Sequence, residues 1–152
     1  MSGNIAIGIQ DFSTIIQGNY FYIDKTPFIK EWWDCGDSAT LITRPRRFGK
    51  TLTMSMVEQF FSIDYAGRSD LFEHLAIWKE EKYRELQGTY PVISLSFARI
   101  KERDYEKTKQ KMCEVLRNIY IKFCYIKDSE KLTDADLSLI HISEPTRLGM
   151  IS

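Results

Sequence analysis

The stretch from Ala39 to Phe61 constrains the fold more than any other part of this chain. It begins with a short apolar run rich in β-branched residues, Ala39–Thr43, whose length and composition predict a strand. A basic loop follows, then Gly49-Lys50-Thr51, and then apolar residues at helical spacing. Strand, loop, Gly-Lys-Thr and helix in this order predict a phosphate-binding loop.

Each part of this loop has a chemical reason. Gly49 lets the backbone approach an oxygen and adopt angles that a Cβ forbids. The N–H groups that open the helix, together with its dipole, form an anion site. Lys50 is expected to reach the β- and γ-phosphates of ATP, and the Thr51 hydroxyl to hold Mg²⁺. The expected nucleotide-binding residues are Arg44, Pro45, Arg46, Arg47, Phe48, Gly49, Lys50, Thr51 and Leu52.

One position departs from the general pattern. A phosphate loop has glycine five residues before Gly49, where this chain has Arg44. Gly-Lys-Thr with a single glycine also begins ordinary capped helices. The surrounding strand–loop–helix order favours phosphate binding over a plain capped helix.

Further patterns extend the expected fold. Thr26 followed by Pro27 predicts a capped helix running to about Asp34, whose apolar residues we expect to pack in a core rather than stack on a base. Strict alternation over Val92–Phe97 predicts a second strand, and Asp104–Tyr125 the longest helix, with one apolar face packed on the sheet. These elements predict an α/β fold with a P-loop NTPase-like parallel sheet and flanking helices.

Composition excludes several classes of protein. The 152 residues are 43% hydrophobic and 13% aromatic, which is typical of a globular domain. The net charge is zero, so no global field attracts nucleic acid or anionic membrane. No apolar run approaches the roughly 20 residues that span a bilayer. Cys35, Cys113 and Cys124 are few, odd in number and widely spaced, which favours reduced thiols in a cytoplasm.

Three segments together resemble a known family. They are Tyr22–Thr26 (YIDKT), Thr43–Leu52 (TRPRRFGKTL) and Pro91–Phe97 (PVISLSF). Their order and spacing are similar to those of the bacterial AAA-ATPase-like family, over about residues 4–136. The resemblance implies that RPRRFGKT is the usual form of the phosphate loop, with Arg44 as a family trait. It also implies that Asp24 and Lys25 lie near the nucleotide.

The resemblance also shows what is missing. A working P-loop ATPase needs an acidic residue at a second strand end to position the magnesium shell and the attacking water. No segment after Phe97 fits this description, and in the family that strand lies further downstream, often followed by a PD-(D/E)xK-type nuclease domain. We therefore expect residues 1–136 to be the N-terminal part of the ATPase domain, without hydrolytic activity. Residues 137–152 depart from the family pattern and resemble translated sequencing-adapter sequence, so we expect them to be foreign to the domain.

Two other functions remain open. Arg44, Arg46 and Arg47 are suited to clamp the phosphates of a nucleic acid, but no aromatic–basic platform accompanies them and the net charge is zero. Alternatively, the chain is an inactive truncated fragment. The oligomeric state, the base preference and the biological process leave no signal in the sequence.

Overall fold

The computed structural model describes residues 4–5, 7–43, 45, 47–98, 100–123 and 125. The α-helices in this part of the chain are α1 (Phe12–Gln17), α2 (Pro27–Cys35), α3 (Lys50–Phe61), α4 (Glu81–Arg84) and α5 (Tyr105–Lys122). Short 3₁₀ turns lie over Ile63–Tyr65, Ser69–Leu71 and Ala76–Lys79. The chain divides into two units, Met1–Val92 and Ile93–Ser152.

A polar link joins α1 to α3 in the first unit. The Asp11 carboxylate caps α1 by accepting a hydrogen bond from the Thr14 backbone N–H at 2.8 Å. The same carboxylate accepts a hydrogen bond from Gln59 Nε2 of α3 at 2.6 Å. Ser55, one turn earlier on α3, accepts a hydrogen bond from the Phe12 N–H at 3.1 Å. The start of α1 is therefore held against one face of α3.

Helix α2 begins and ends nearly as its sequence predicts. Pro27 is its first residue, and Gly36 follows it with a φ of +65°. Thr26 occupies the N-cap position as predicted, although its side chain makes no capping hydrogen bond. Its hydroxyl instead donates to Asp24 Oδ1 at 2.7 Å and accepts from the Ile77 N–H at 3.1 Å. The buried Thr26 thus joins the start of α2 to the turn at Ala76–Lys79.

An aromatic core holds the first unit together. Its buried members come from α1, α2, α3, α4 and the segments between α3 and α4: Phe12, Ile29, Met56, Phe60, Phe61, Leu71, Phe72, Ile77 and Tyr83. Trp32 and Trp33 of α2 pack on Phe61, with ring centroids 5.6 Å and 5.4 Å away. The expectation that α2 contributes to a core is confirmed. Removing these large rings from water is the main source of stability in such a unit.

The predicted parallel sheet is absent from the described residues, and the α/β fold class is therefore wrong. Neither Ala39–Thr43 nor Val92–Phe97 forms a strand. Within the described part of the chain, parallel pairing is confined to one isolated bridge between Ser62 and Tyr90, where the Ile63 N–H donates to the Tyr90 carbonyl at 2.9 Å. Alternation of apolar residues indicates which side chains favour burial. A strand forms, however, only where a neighbouring strand completes its backbone hydrogen bonds.

In the second unit, α5 occupies most of the range predicted for the longest helix. The apolar face expected to pack on a sheet is not buried: Met112 and Leu116 are each 41% exposed, and α5 contains no buried residue. That expectation is wrong for the same reason, because no sheet is present in the described residues to receive the face. The tail at residues 137–152 lies outside the described residues.

Candidate functional site

The loop before α3 contains two residues with left-handed backbone angles. Gly49 has a φ of +75° and Arg47 a φ of +70°. Glycine adopts this region freely, whereas a residue with a Cβ is strained there, by roughly 1 kcal/mol or more. Between them, the Phe48 side chain is 62% exposed. Arg44 and Arg46 lie outside the described residues.

Helix α3 begins at Lys50, directly after the left-handed Gly49. Gly49 has no side chain, so the N-cap residue makes no side-chain hydrogen bond to the first turn. The Gly49 carbonyl accepts the Thr53 backbone N–H at 2.8 Å and the Thr53 hydroxyl at 3.0 Å. This anchors the loop to the helix and leaves the positive end of the helix dipole on the side of the loop. Thr51 is exposed in the first turn.

Two lysines lie along the loop and are held by its carbonyl oxygens. Lys50 Nζ donates to the Pro45 carbonyl at 3.4 Å, and Lys25 Nζ donates to the Phe48 carbonyl at 3.4 Å. Lys25 comes from the segment before α2, 25 residues earlier in the chain than Lys50. The fold thus brings a second ammonium group to the loop that the Gly-Lys-Thr pattern alone does not predict.

Tyr22 positions the backbone of Lys25. Its hydroxyl accepts the Lys25 N–H at 3.3 Å and donates to the Met56 sulfur of α3 at 3.3 Å. Burial raises the pKa of Tyr22 to about 12, which keeps the hydroxyl protonated at neutral pH. The Tyr22–Thr26 segment is therefore connected to α3 independently of the Lys25 side chain.

Two clefts in the first unit share Lys25, Phe48 and Lys50 in their walls. The smaller has a volume of about 470 Å³ and is also lined by Asp24, Pro27, Phe28, Glu31, Ile42 and Thr53. The larger has a volume of about 1050 Å³. Its walls contain six of the nine residues expected from the sequence to bind nucleotide: Arg47, Phe48, Gly49, Lys50, Thr51 and Leu52. Pro45, a seventh, contacts Lys50 through its carbonyl.

The charges around the two clefts differ. Lys25, Arg47 and Lys50 line the larger cleft, and no carboxylate is among the described residues of its wall. Asp24 and Glu31 line the smaller one. The larger cleft is therefore the more suitable of the two for a polyanion.

The Asp24 carboxylate is already engaged in the fold. Oδ1 accepts the Thr26 N–H at 2.8 Å and the Thr26 hydroxyl at 2.7 Å, and Oδ2 accepts the Ala76 N–H at 2.7 Å. The implied place of Asp24 beside the nucleotide stays a prediction. The described contacts give this carboxylate a structural role.

Two kinds of feature are absent from the described residues. They contain no group of three or more His, Cys, Asp or Glu side chains with metal-binding geometry. None of their helices is both long and apolar enough to cross a membrane.

Comparison with known proteins gives one family and one relative. The family model described as predicted AAA-ATPase matches residues 6–148. An uncharacterized protein in the vnfD 5′ region of Azotobacter chroococcum mcd 1 is 33% identical over 113 residues. That alignment covers 74% of this chain and 20% of the relative, so the chain spans about a fifth of the relative's length. No solved structure matches. The family resemblance seen in the sequence is confirmed, and the chain belongs to the predicted AAA-ATPase family.

Proposed function

We propose that this chain binds ATP together with Mg²⁺ in the larger cleft, with the loop of residues 44–52 around the phosphates. The observation that carries the proposal is the wall of this cleft, where Gly49, Lys50 and Thr51 lie together with two further cationic residues, Lys25 and Arg47, and no described carboxylate. Membership in a predicted AAA-ATPase family supports a nucleoside triphosphate as the ligand. A helix start and cationic side chains both favour the binding of a polyphosphate, and both line this cleft.

The rest of the cleft wall suits a nucleoside. Ile7, Phe21 and Ile23 line it and are 91%, 62% and 67% exposed, which is unusual for large apolar side chains close to one another. An apolar wall beside a cationic end matches the two halves of a nucleotide. We therefore assign the base and ribose to the side of residues 7–23 and the phosphates to the side of α3.

Magnesium fits this arrangement through one protein oxygen. The Thr51 hydroxyl lies in the exposed first turn of α3, on the cleft wall. Mg²⁺ keeps several waters and is commonly held by one or two protein oxygens together with substrate phosphates. In the proposed complex the ion neutralises phosphate charge, and Thr51 orients it relative to the loop. The odd number and wide spacing of the cysteines support a cytoplasm as the setting of the proposed activity.

Isothermal calorimetry with MgATP tests the proposal. We expect Lys50→Ala to weaken binding by at least about tenfold, because an ammonium–phosphate contact of roughly 1.5–3 kcal/mol is lost. Lys79→Ala is the matched control, since Lys79 lies on the turn at Ala76–Lys79 and lines neither cleft. Equal affinity of the wild type and Lys50→Ala for MgATP contradicts the proposal. GTP in a parallel titration reports the base preference.

Hydrolysis is outside the proposed activity. The Asp24 carboxylate already accepts three hydrogen bonds, so it is poorly placed to orient a magnesium-bound water. Glu31 is the other carboxylate of the smaller cleft. Phosphate release should stay at background in the wild type. Turnover near the roughly 1 per second of ordinary enzymes, abolished by Lys50→Ala and by Glu31→Gln, contradicts this and assigns the missing carboxylate to Glu31.

A further inference from the structure

The Lys25 side chain occupies space that exists only because residue 49 is glycine. Its ammonium nitrogen lies 2.7 Å from the point where a Cβ on Gly49 would stand, and 3.4 Å from the Phe48 carbonyl oxygen. The ammonium is thus packed against the backbone of the loop itself. Lys25 also lines both clefts that meet at the loop.

No carboxylate neutralises Lys25 among the described residues. Three other lysines pair with carboxylates: Lys30 with Glu80, Lys82 with Asp34 and Lys111 with Glu102. The ammonium of Lys25 instead has a single carbonyl oxygen as its described acceptor. The adjacent Asp24 is committed to Thr26 and Ala76.

The described surroundings of this ammonium are cationic. It lies beside the start of α3, where the helix dipole is positive, and shares its cleft with Arg47 and Lys50. Like charges placed together disfavour one another. An ammonium group has three hydrogen-bond donors. The Lys25 ammonium uses one of them on the Phe48 carbonyl oxygen, and the other two have no described acceptor. A bound anion would supply acceptors for these donors.

We propose that Lys25 is a second phosphate-binding lysine, which exchanges the Phe48 carbonyl for a phosphate oxygen when a nucleoside triphosphate binds. This inference rests on the proposed function, because it names a further contact of the same ligand. Lys50 approaches the phosphates from α3 and Lys25 from the segment before α2. Gly49 separates the two and leaves room for the second ammonium.

A purely structural role predicts different behaviour. If Lys25 only ties the segment before α2 to the loop, its loss should lower the stability of the protein without ligand. Tyr22 already connects this segment to α3 through the Lys25 N–H and the Met56 sulfur. Removal of the Lys25 charge should therefore leave the fold intact.

The test uses the full chain with Lys25→Met, Lys25→Arg and, as a matched control, Lys79→Met. Calorimetry with MgATP and with inorganic tripolyphosphate, together with thermal unfolding without ligand, gives the readouts. We expect Lys25→Met to weaken the binding of both ligands by about tenfold. Lys25→Arg should restore the affinity to within about threefold of the wild type, because it keeps a phosphate-binding charge. The melting temperatures of the variants without ligand should stay within about 2 °C of the wild type.

Four results overturn the inference. The first is unchanged MgATP affinity in Lys25→Met while Lys50→Ala remains defective, which leaves the proposed function standing. The second is equal loss in Lys25→Met and Lys25→Arg, which indicates a shape-dependent tether. The third is a loss for MgATP without a loss for tripolyphosphate, which places Lys25 at the nucleoside. The fourth is failure of the wild type to bind either ligand, which rejects the proposed function as well.

Discussion

Lys25 Nζ and the α-carbon of Gly49 are so close that no side chain fits between them, with only 2.7 Å from the ammonium nitrogen to an ideal Cβ. Two distant parts of the sequence therefore constrain each other at the start of α3. The left-handed backbone favours glycine at position 49, and the observed position of the Lys25 ammonium uses the space that a Cβ would take.

Gly49→Ala should lower the free energy of unfolding by about 1–2 kcal/mol through backbone strain. It should also weaken MgATP binding, because the new methyl group displaces the Lys25 ammonium. Gly36→Ala is the matched control, since its φ of +65° is similar and no atom lies within 4 Å of its Cβ position. We expect a similar loss of stability there without any change in affinity. Equal affinity losses in the two variants would show that strain alone explains the effect.

Asp11 should make stability depend on pH in the acid range. Burial raises the pKa of its carboxyl, but hydrogen bonds from Ser13, Thr14 and Gln59 outweigh burial and lower the pKa to about 2 from 3.8. Because the folded-state pKa is the lower one, this stabilisation is present above about pH 4 and is lost as the pH falls towards 2. Asp11→Asn should cost about 1–2 kcal/mol at pH 7, after allowance for solvent screening, and less at pH 3.

Chemical denaturation at several pH values measures this difference. Asp37→Asn is the control, because Asp37 is an exposed aspartate without a described partner. A difference between wild type and Asp11→Asn that stays constant from pH 7 to pH 3 would contradict the assigned role of the carboxylate.

Phe72 should be a main determinant of stability in the first unit. Its ring stacks on Phe12 with centroids 5.1 Å apart and meets Phe60 edge-on at 5.1 Å. Phe72→Ala should lower the free energy of unfolding by about 3–5 kcal/mol, since it leaves a cavity in a fully buried cluster. Phe48→Ala, at a ring that is 62% exposed, should change it by less than about 0.5 kcal/mol. Thermal unfolding of the two variants decides between them.

The basic loop should not bind nucleic acid. In the proposed complex, the loop that contains Arg46 and Arg47 binds one polyphosphate, and the chain carries no net charge. A gel-shift assay with duplex and single-stranded DNA should give no complex at physiological salt, for the wild type and for the double Arg46→Ala, Arg47→Ala variant. Tight, salt-sensitive binding that disappears in the double variant would restore the nucleic-acid alternative.

The amino-acid sequence alone determined the local features of this protein. α2 begins at Pro27 and ends before Gly36, and Gly49 directly precedes α3. Proline restricts the backbone angle φ and glycine permits positive φ values, whatever residues surround them. The family was also evident from three motifs, since a motif is a property of the chain itself.

Only the tertiary structure decided which groups meet. Alternation at Val92–Phe97 predicts a strand, but pairing depends on a neighbour that the pattern does not specify, and the described residues supply none. The sequence placed Asp24 and Lys25 side by side without distinguishing them. In the fold, the Asp24 carboxylate accepts hydrogen bonds from Thr26 and Ala76, whereas the Lys25 ammonium donates to the loop before α3. Contacts between residues far apart in sequence follow from the packing of the whole unit, whereas backbone preferences act within a few residues.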